Sequence, residues 1–316
     1  MPRKPGIVDR IEYALFQALT TGMGSVSHAR AERWGETLGR FAYRRVGVRR
    51  EVVLDQLRHA FPEQDEAWIE RTAVAAYEHV GREAITILRM SRMSRNEVIE
   101  RVNHSTGQQR FADAIAEGKG VVLVAGHIGN WELGASLLAA QGHAIDVLYQ
   151  PARNPLWNAE VVSARERLGL NLIPRSGASK AALRKLREGH IVAIVADQNA
   201  GRTGIFVPFL GRLASTHRGP ALLAIRSGAP LFLGASIRQG DGYYGISEEI
   251  TASREGEVDK VVERLTRAWS ASLEKLVRQW PEQYFWHHRR WKTRPPAEGK
   301  DHQEEEPEGR RSGIES

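Results

Sequence analysis

The chain has 316 residues, of which 41% are hydrophobic, so it can bury a sizeable core as one large domain. It holds 45 Lys and Arg against 38 Asp and Glu, and the resulting charge of +7 favours an anionic partner such as phosphate or an acidic membrane surface. Cysteine is absent, which excludes disulfides and thiolate chemistry. No RNP-like aromatic strand or zinc-finger pattern accompanies the charge, so we expect no nucleic-acid partner.

The first element in chain order is "IEYALFQALTTGMGSV" (residues 11–26), the stretch that most resembles a membrane segment. It is uncharged from Tyr13 onward, but polar residues interrupt it, and it is shorter than the roughly 18 to 20 apolar residues of a spanning helix. Basic residues flank it on both sides. Two structures fit: a helix lying on anionic lipid, or an ordinary helix packed on the domain. We assign residues 1–30 to an interfacial helix.

A helical front at residues 31–105 follows. Its apolar residues recur at intervals of three and four, which predicts helices over 31–46, 50–64 and 65–90, with Pro62 separating the last two.

From residue 111 the pattern changes to alternating helices and short β-rich runs, several of them ended by glycine. This alternation predicts an α/β fold, a mixed and largely parallel sheet with helices on both faces. We therefore expect a single α/β domain over residues 31–296. Residues 297–316 are charged and nearly devoid of large apolar side chains, so we expect a disordered tail.

The run "VVLVAGHIGNWELGASL" (121–137) joins a predicted strand to a predicted helix, and His127 falls at the strand end, where α/β proteins gather binding residues. With His127 in the loop and the helix starting near Gly129 or Asn130, Glu132 can reach the imidazole. A carboxylate on one ring nitrogen would fix the tautomer and leave the other nitrogen to take a proton from a hydroxyl. The alternative is a histidine that only ends the strand and a solvated glutamate.

The same run resembles the H-x4-D/E block of the glycerolipid acyltransferase superfamily, and in particular the bacterial lipid A late acyltransferases (lauroyl/myristoyl-type). Further blocks similar to that family follow in its order and, with an earlier one, span most of the chain: "LRHAFPE" (57–63), "YQPARNPL" (149–156), "ARERLG" (164–169), "VADQNAGRTGIFVPFLGRLASTHRGPALLA" (195–224) and "PEQYFWHHRRWKTRP" (281–295).

This resemblance implies a glycerolipid acyltransferase-like αβα sandwich and transfer of a fatty acyl chain from acyl carrier protein or acyl-CoA to a glycolipid hydroxyl, most simply on a lipid A precursor. It implies His127 as general base with Glu132 as its orienting acid, no covalent acyl-enzyme, no cofactor and no metal. It also implies a peripheral or monotopic enzyme on the cytoplasmic face of the bacterial inner membrane. A phosphatidylinositol mannoside-type acceptor and a catalytically silent lipid-binding homologue remain as alternatives.

The resemblance assigns further residues to substrate binding. Because Gln150 stands where the family has arginine, a phosphate contact there would come from Arg153, beside Asn154, or from another part of the chain. Arg165 would contact a phosphate or the thioester region of the donor. Asp197, next to Gln198, would orient Arg165 or the acceptor sugar.

The two later blocks supply the remaining candidates. Gly204 and Phe206 resemble the acyl-pocket loop, although "GIFVPFL" also fits an edge strand with a turn. Arg289 and Arg290, interleaved with Trp286 and Trp291, suit a membrane interface with anionic head groups, where a solvated basic face is the simpler explanation.

Overall fold

The structure is a computed structural model that describes residues 5–24 and 26–296. The predicted disordered tail at residues 297–316 lies outside the described residues. Within the described ranges the chain forms helices α1 to α11, with these bounds: Ile7–Gly24, His28–Phe41, Arg50–Ala60, Glu66–Met90, Arg95–Glu100, Gln108–Ala116, Trp131–Ala140, Pro155–Leu168, Ala178–Arg187, Gly219–Ser227 and Val258–Gln279.

Seven of the described strands form one sheet, in the order β1-β9-β8-β2-β5-β3-β4. Neighbouring strands are parallel except β8 and β9, which form an antiparallel pair, and β6 and β7 make a separate antiparallel hairpin. The predicted α/β class with a mixed, largely parallel sheet is confirmed. The strands β1 to β9 span Val102–Thr106, Val121–Gly129, Ile145–Tyr149, Asn171–Pro174, Ile191–Val195, Ile205–Phe209, Arg212–Thr216, Leu231–Gln239 and Gly242–Glu249.

The central strand β2 separates two layers of apolar packing. Val122 and Val124 belong to the larger core cluster, to which α10 and α11 contribute, whereas Val121 and Leu123 belong to a smaller cluster built with α6 and α7. Successive side chains of a strand point to opposite faces, so β2 is covered on both. A strand covered on both faces reads as the continuous apolar run seen in its sequence.

The predicted helices of the front are confirmed as α2, α3 and α4, but the front also contains α5 and the edge strand β1, which sequence periodicity missed. β1 pairs in parallel with β9. Its sequence "VNHST" has no buried residue and no apolar alternation, because an edge strand gains its stability from backbone pairing.

Helix α1 packs on the domain through α8. The hydroxyl of Tyr13 donates to Glu160 at 3.3 Å, and the Phe16 and Trp157 rings lie 5.5 Å apart. A row on its other side stays exposed, made of Ile7, Val8, Ile11 and Leu15. Both features expected of this segment, domain packing and an exposed apolar face, are therefore present. No helix in the described ranges is both long and apolar enough to cross a bilayer.

Candidate active site

The proposed base lies at the end of the central strand. β2 continues through Gly129, so His127 lies in the strand and not in the loop where the sequence placed it. The strand is prolonged because the Phe285 N–H donates to the carbonyl of His127 at 2.9 Å and Ile128 pairs with Tyr284. The C-terminal segment thus holds the His127 backbone from the side.

Helix α7 begins immediately afterwards, close to the predicted start. Asn130 is its N-cap, since the side-chain oxygen of Asn130 accepts a hydrogen bond from the N–H of Leu133 at 2.8 Å. Glu132 therefore lies in the first turn of the helix.

The carboxylate that holds His127 is that of Asp197, directly after β5. Its Oδ1 lies 2.6 Å from Nδ1 of His127, and its Oδ2 accepts from the His127 backbone N–H at 2.9 Å. Because β2 and β5 are adjacent and parallel, their carboxyl ends meet at one edge of the sheet. The two-point contact fixes both the backbone and the ring of His127.

Glu132 has a different partner, and the pairing expected from the sequence is corrected. Its carboxylate binds the guanidinium of Arg165, with Arg165 Nε donating to Oε2 at 3.0 Å and Nη2 bonding Oε1. Arg165 lies in the last turn of α8, which packs beside α7. Asp197, expected to orient Arg165 or the acceptor sugar, instead holds His127, and Glu132, expected to orient His127, holds Arg165.

In the His127–Asp197 pair, the pKa of each group is shifted in the direction that favours its charged form. Burial by itself lowers the pKa of His127, but the charge and hydrogen bond of Asp197, with a smaller effect of Glu132, raise it above its ordinary value. Burial likewise raises the pKa of Asp197, yet the contacts with His127 and its backbone N–H hold it below the usual range. An ionised Asp197 therefore stabilises a proton on His127 when one arrives.

The second ring nitrogen of His127 is left for chemistry. The Gln198 amide nitrogen lies 3.4 Å from Nε2. The imidazole packs edge-on against Trp131, with ring centroids 4.7 Å apart, and lies 6.1 Å from the Phe285 ring. These aromatic walls restrict rotation of the ring.

His127, Gln198 and the Glu132–Arg165 pair line a cavity of about 790 Å³. Its size lies within the range of about 300–1,000 Å³ that is usual for small-molecule sites. Part of the wall is apolar and is formed by α6, α7 and the sheet; it includes Phe111, Leu123, Ala135, Leu138, Val147 and Ala193. Polar and charged side chains line other parts of the cavity, among them Gln108, Gln141, Arg175 and Arg226.

A buried ionic network behind the site escaped the sequence reading. The Asn130 amide donates to Glu83 at 2.7 Å, and Glu83 accepts from Arg238 Nε at 2.6 Å and from the Tyr243 hydroxyl at 2.7 Å. Arg238 also binds Glu32 of α2 at 3.0 Å. The available signal was a charge in otherwise apolar surroundings, Arg238 in a strand and Glu83 in a long helix.

Two of the predicted substrate-binding residues, Asn154 and Arg153, lie outside the cavity that contains His127. Asn154 is the N-cap of α8, and it accepts from the N–H groups of Leu156 and Trp157 while its amide donates to the carbonyl of Asp9. A capping side chain with these partners is occupied in holding α1 to α8. Arg153 lines a small separate cavity beside α1.

Gly204 and Phe206 were expected in an acyl-pocket loop. Gly204 immediately precedes β6 and Phe206 lies in β6, and the β6–β7 hairpin packs against α11. The edge strand with a turn, which the sequence also allowed, is thus the structure found. Neither residue lines the cavity that contains His127.

The basic run near the C-terminus is partly internal: Arg290 is buried, which corrects its expected place at a membrane interface, whereas Arg289, Lys292 and Arg294 are exposed. Trp286, Trp291 and Arg290 are all buried, and only Arg289 of the predicted pair is exposed. Arg290 donates to the carbonyl of Ser215 and to the hydroxyl of Thr216, both at 2.6 Å. The run therefore ties the hairpin to the front helices.

Several known proteins are similar to this chain over much of its length. The chain is 32% identical over 268 residues to the lipid A biosynthesis lauroyltransferase of Escherichia coli (strain K12), covering 83% of this chain and 85% of that protein. It is 30% identical to the lipid A biosynthesis palmitoleoyltransferase of the same organism, over 61% and 62% of the two chains.

A phosphatidylinositol mannoside acyltransferase of Mycolicibacterium smegmatis (strain ATCC 700084 / mc(2)155) is 24% identical, over 66% of this chain and 69% of that protein. The family described as bacterial lipid A biosynthesis acyltransferase matches residues 8–293. With that match over most of its length, the chain belongs to the bacterial lipid A biosynthesis acyltransferase family.

Proposed function

We propose that the chain transfers a fatty acyl group from a thioester, carried by acyl carrier protein or CoA, to a hydroxyl of a lipid A precursor. The observation that carries the proposal is the 2.6 Å contact between Nδ1 of His127 and Asp197 at the mouth of a cavity whose wall is partly apolar. A histidine oriented through one nitrogen has the other available as a general base.

The acceptor hydroxyl gives its proton to Nε2 of His127 while its oxygen attacks the thioester carbonyl. A carbon–oxygen bond forms, and the carbonyl becomes a tetrahedral oxyanion. When the carbon–sulfur bond breaks, the imidazolium returns the proton to the departing thiolate. Asp197 stabilises the imidazolium between these two steps, so no acyl-enzyme is required.

The oxyanion needs a donor near Nε2. The Gln198 amide, 3.4 Å from that nitrogen, is the side-chain donor best placed for the role. Arg165 is held at the cavity wall by Glu132, which supports a contact to a phosphate of the donor or acceptor. Glu132 then acts by positioning Arg165.

The apolar wall of the cavity supports binding of the acyl chain. The lining side chains from Phe111 and α7 offer hydrocarbon surface, and their burial of a chain contributes about 0.8 kcal/mol per methylene group. The depth of the cavity along this wall would then determine which acyl chain length the protein binds.

The membrane is the proposed location of the reaction, because the acceptor is a lipid. The exposed apolar row of α1 supports peripheral attachment at the cytoplasmic face of the inner membrane, with the helix lying along the interface.

A second acceptor is supported by one comparison, the similarity to a phosphatidylinositol mannoside acyltransferase. The same His127 would serve, because a sugar hydroxyl is the nucleophile in both cases. An assay with both acceptors distinguishes the two.

The test is acyl transfer in vitro to purified lipid A precursor and to phosphatidylinositol mannoside. The donor is a radiolabelled acyl chain carried by acyl carrier protein or, in parallel, by CoA. The wild type is expected to label one acceptor, and His127→Ala none. Equal labelling by wild type and His127→Ala contradicts the proposed base. No labelling of either acceptor by the folded wild type favours a silent lipid-binding homologue.

A further inference from the structure

The segment from residue 27 to residue 49 comprises α2 and the turn that follows it. One face of α2 is closed. Gly35 and Gly39 press against the backbone of α4, and a Cβ added at Gly35 would lie 2.5 Å from the carbonyl oxygen of Gly81. The helix therefore has a fixed rotation on the domain.

A neighbouring face, about 110° around the helix from the two glycines, carries large apolar side chains that are exposed to solvent. Trp34, Leu38 and Phe41 are 49%, 57% and 57% exposed. At 3.6 residues per turn these three positions fall within an arc of about 60°, so they form one row. Val46 and Val48, which follow the end of the helix, are exposed to a similar extent. A continuous exposed row of this kind marks a surface that meets a partner.

The charges beside the row all have one sign. The exposed ionisable side chains of residues 27–49 are arginines: Arg30, Arg33, Arg44, Arg45 and Arg49, together with Arg40, which is already paired with Glu78 of α4 at 2.6 Å. The two acids of this segment face inward or are paired, Glu32 with the buried Arg238 and Glu36 with Arg82. The surface therefore presents apolar and cationic groups together.

We propose that this face of α2, with Val46 and Val48, binds the surface of a bilayer that contains anionic phospholipid. Trp34, Leu38 and Phe41 enter the boundary between head groups and acyl chains, where aromatic and aliphatic side chains are stable. The flanking arginines bind the phosphates of the lipid. This contact goes beyond the proposed acyl transfer and beyond the α1 segment, since it lies on a different helix.

The α2 surface is coupled to the catalytic helix by buried ionic contacts. Glu32 of α2 binds Arg238, Arg238 binds Glu83, and Glu83 holds Asn130, the cap of α7. Each contact is 3.0 Å or shorter and is shielded from water. Membrane contact through α2 thus fixes the orientation of the His127 cavity relative to the lipid surface.

The charge pattern favours lipid over a second copy of this chain. A two-fold contact through this face would bring its own arginines together, with no exposed acid of residues 27–49 to pair them. A bilayer supplies phosphates for the exposed arginines other than Arg40, and an apolar layer for the row.

The experiment measures binding of the purified full-length chain to vesicles of phosphatidylcholine with and without phosphatidylglycerol. Three variants are compared: Trp34→Ser/Leu38→Ser/Phe41→Ser, Arg44→Gln/Arg45→Gln, and the control Arg184→Gln/Arg187→Gln, which removes two exposed arginines from α9. All substituted side chains are exposed, so the fold is expected to survive, as circular dichroism and thermal melting check.

The wild type and the control are expected to bind the anionic vesicles alike and to bind pure phosphatidylcholine weakly. Each arginine near an anionic surface contributes about a fivefold change in partitioning, so Arg44→Gln/Arg45→Gln is expected to lose more than about tenfold. The triple variant is expected to lose at least as much. Because no acyl transfer is measured, failure of the enzymatic proposal leaves these results unaffected.

Wild-type binding that survives the triple substitution overturns the proposal, as does equal binding to both kinds of vesicle. A wild type that sediments as a dimer, with a monomeric triple variant, also overturns it, because a second copy then covers the face.

Discussion

Asp197, seventy residues along the chain from His127, contacts both the backbone N–H and the Nδ1 of that histidine, whereas Glu132, five residues away, binds Arg165. Proximity in the motif is therefore a poor guide to partnership in the site. The adjacent parallel strands β2 and β5 bring the distant acid to the ring, and the first turn of α7 directs the nearer acid to α8.

The first prediction compares the two acids. Asp197→Asn removes the charge that stabilises imidazolium and inverts the tautomer preference, so kcat is expected to fall by about 10³–10⁴-fold. Glu132→Gln leaves the contacts of His127 intact and weakens only its hold on Arg165, so a fall in kcat of about tenfold and a rise in KM are expected. Steady-state assays of both variants check this, and an equal loss of kcat would return Glu132 to the role of orienting acid.

Glu132→Asp addresses reach. The shorter carboxylate still carries the charge that pairs with Arg165, so we expect partial activity. The measurement compares the kcat of Glu132→Asp with that of the wild type and of Glu132→Gln, and a double-mutant cycle combines Glu132→Gln with Arg165→Gln. Additive losses in Glu132→Gln and Arg165→Gln would contradict the pair, because groups that act together are not additive.

The next prediction concerns the pH dependence of activity. His127 must be neutral to accept a proton, and its folded pKa is raised above the ordinary 6.5, so kcat/KM is expected to fall as the pH drops through a value above 6.5. In Asp197→Asn the raising charge is lost while burial still lowers the pKa, and the acid limb is expected to move to lower pH. Glu132→Gln is expected to move it the same way by less, since Glu132 has the smaller influence. An acid limb that is identical in all three proteins would remove His127 from the titration.

The sequence predicted the elements well where burial imposes a pattern. β2 reads as a continuous apolar run because both its faces are covered, and α2, α3 and α4 show regular spacing because each buries one face. It failed at β1, whose stability comes from backbone pairing that leaves no side-chain signature.

In the site, sequence reasoning selected His127 as the proposed base and assigned Asp197 to the same site. It gave Glu132 the wrong partner and did not pair Asp197 with His127, because strand order, and hence which strand ends meet, follows from packing between distant segments. The basic run at residues 287–294 looked like a solvated or membrane face, because a one-dimensional pattern does not show that Arg290 satisfies the carbonyl of Ser215 inside the fold.

A stability prediction follows from the buried network. Glu83→Ala leaves Arg238 without its closest carboxylate, and breaking a buried pair in this way costs about 3–5 kcal/mol. The exposed pair of Arg110 and Glu249 is the control, and Glu249→Ala is expected to cost less than about 1 kcal/mol. Urea unfolding of the two variants measures both, and equal midpoints would show that the network contributes no more than a surface pair.

The last prediction concerns the apolar wall. Ala135 and Leu138 lie on α7 and both line the cavity, so changing their volume in opposite directions is expected to shift the preferred acyl chain in opposite directions. Ala135→Leu fills space that a chain terminus would occupy and is expected to favour shorter donors, whereas Leu138→Ala opens space and is expected to favour longer ones. Each methylene that gains or loses burial is worth about 0.8 kcal/mol, or roughly fourfold in kcat/KM between neighbouring chain lengths. Competition assays with mixed acyl donors, read by mass spectrometry of the product, measure the shift. An unchanged chain-length profile in both folded variants would place the acyl chain elsewhere than along α7.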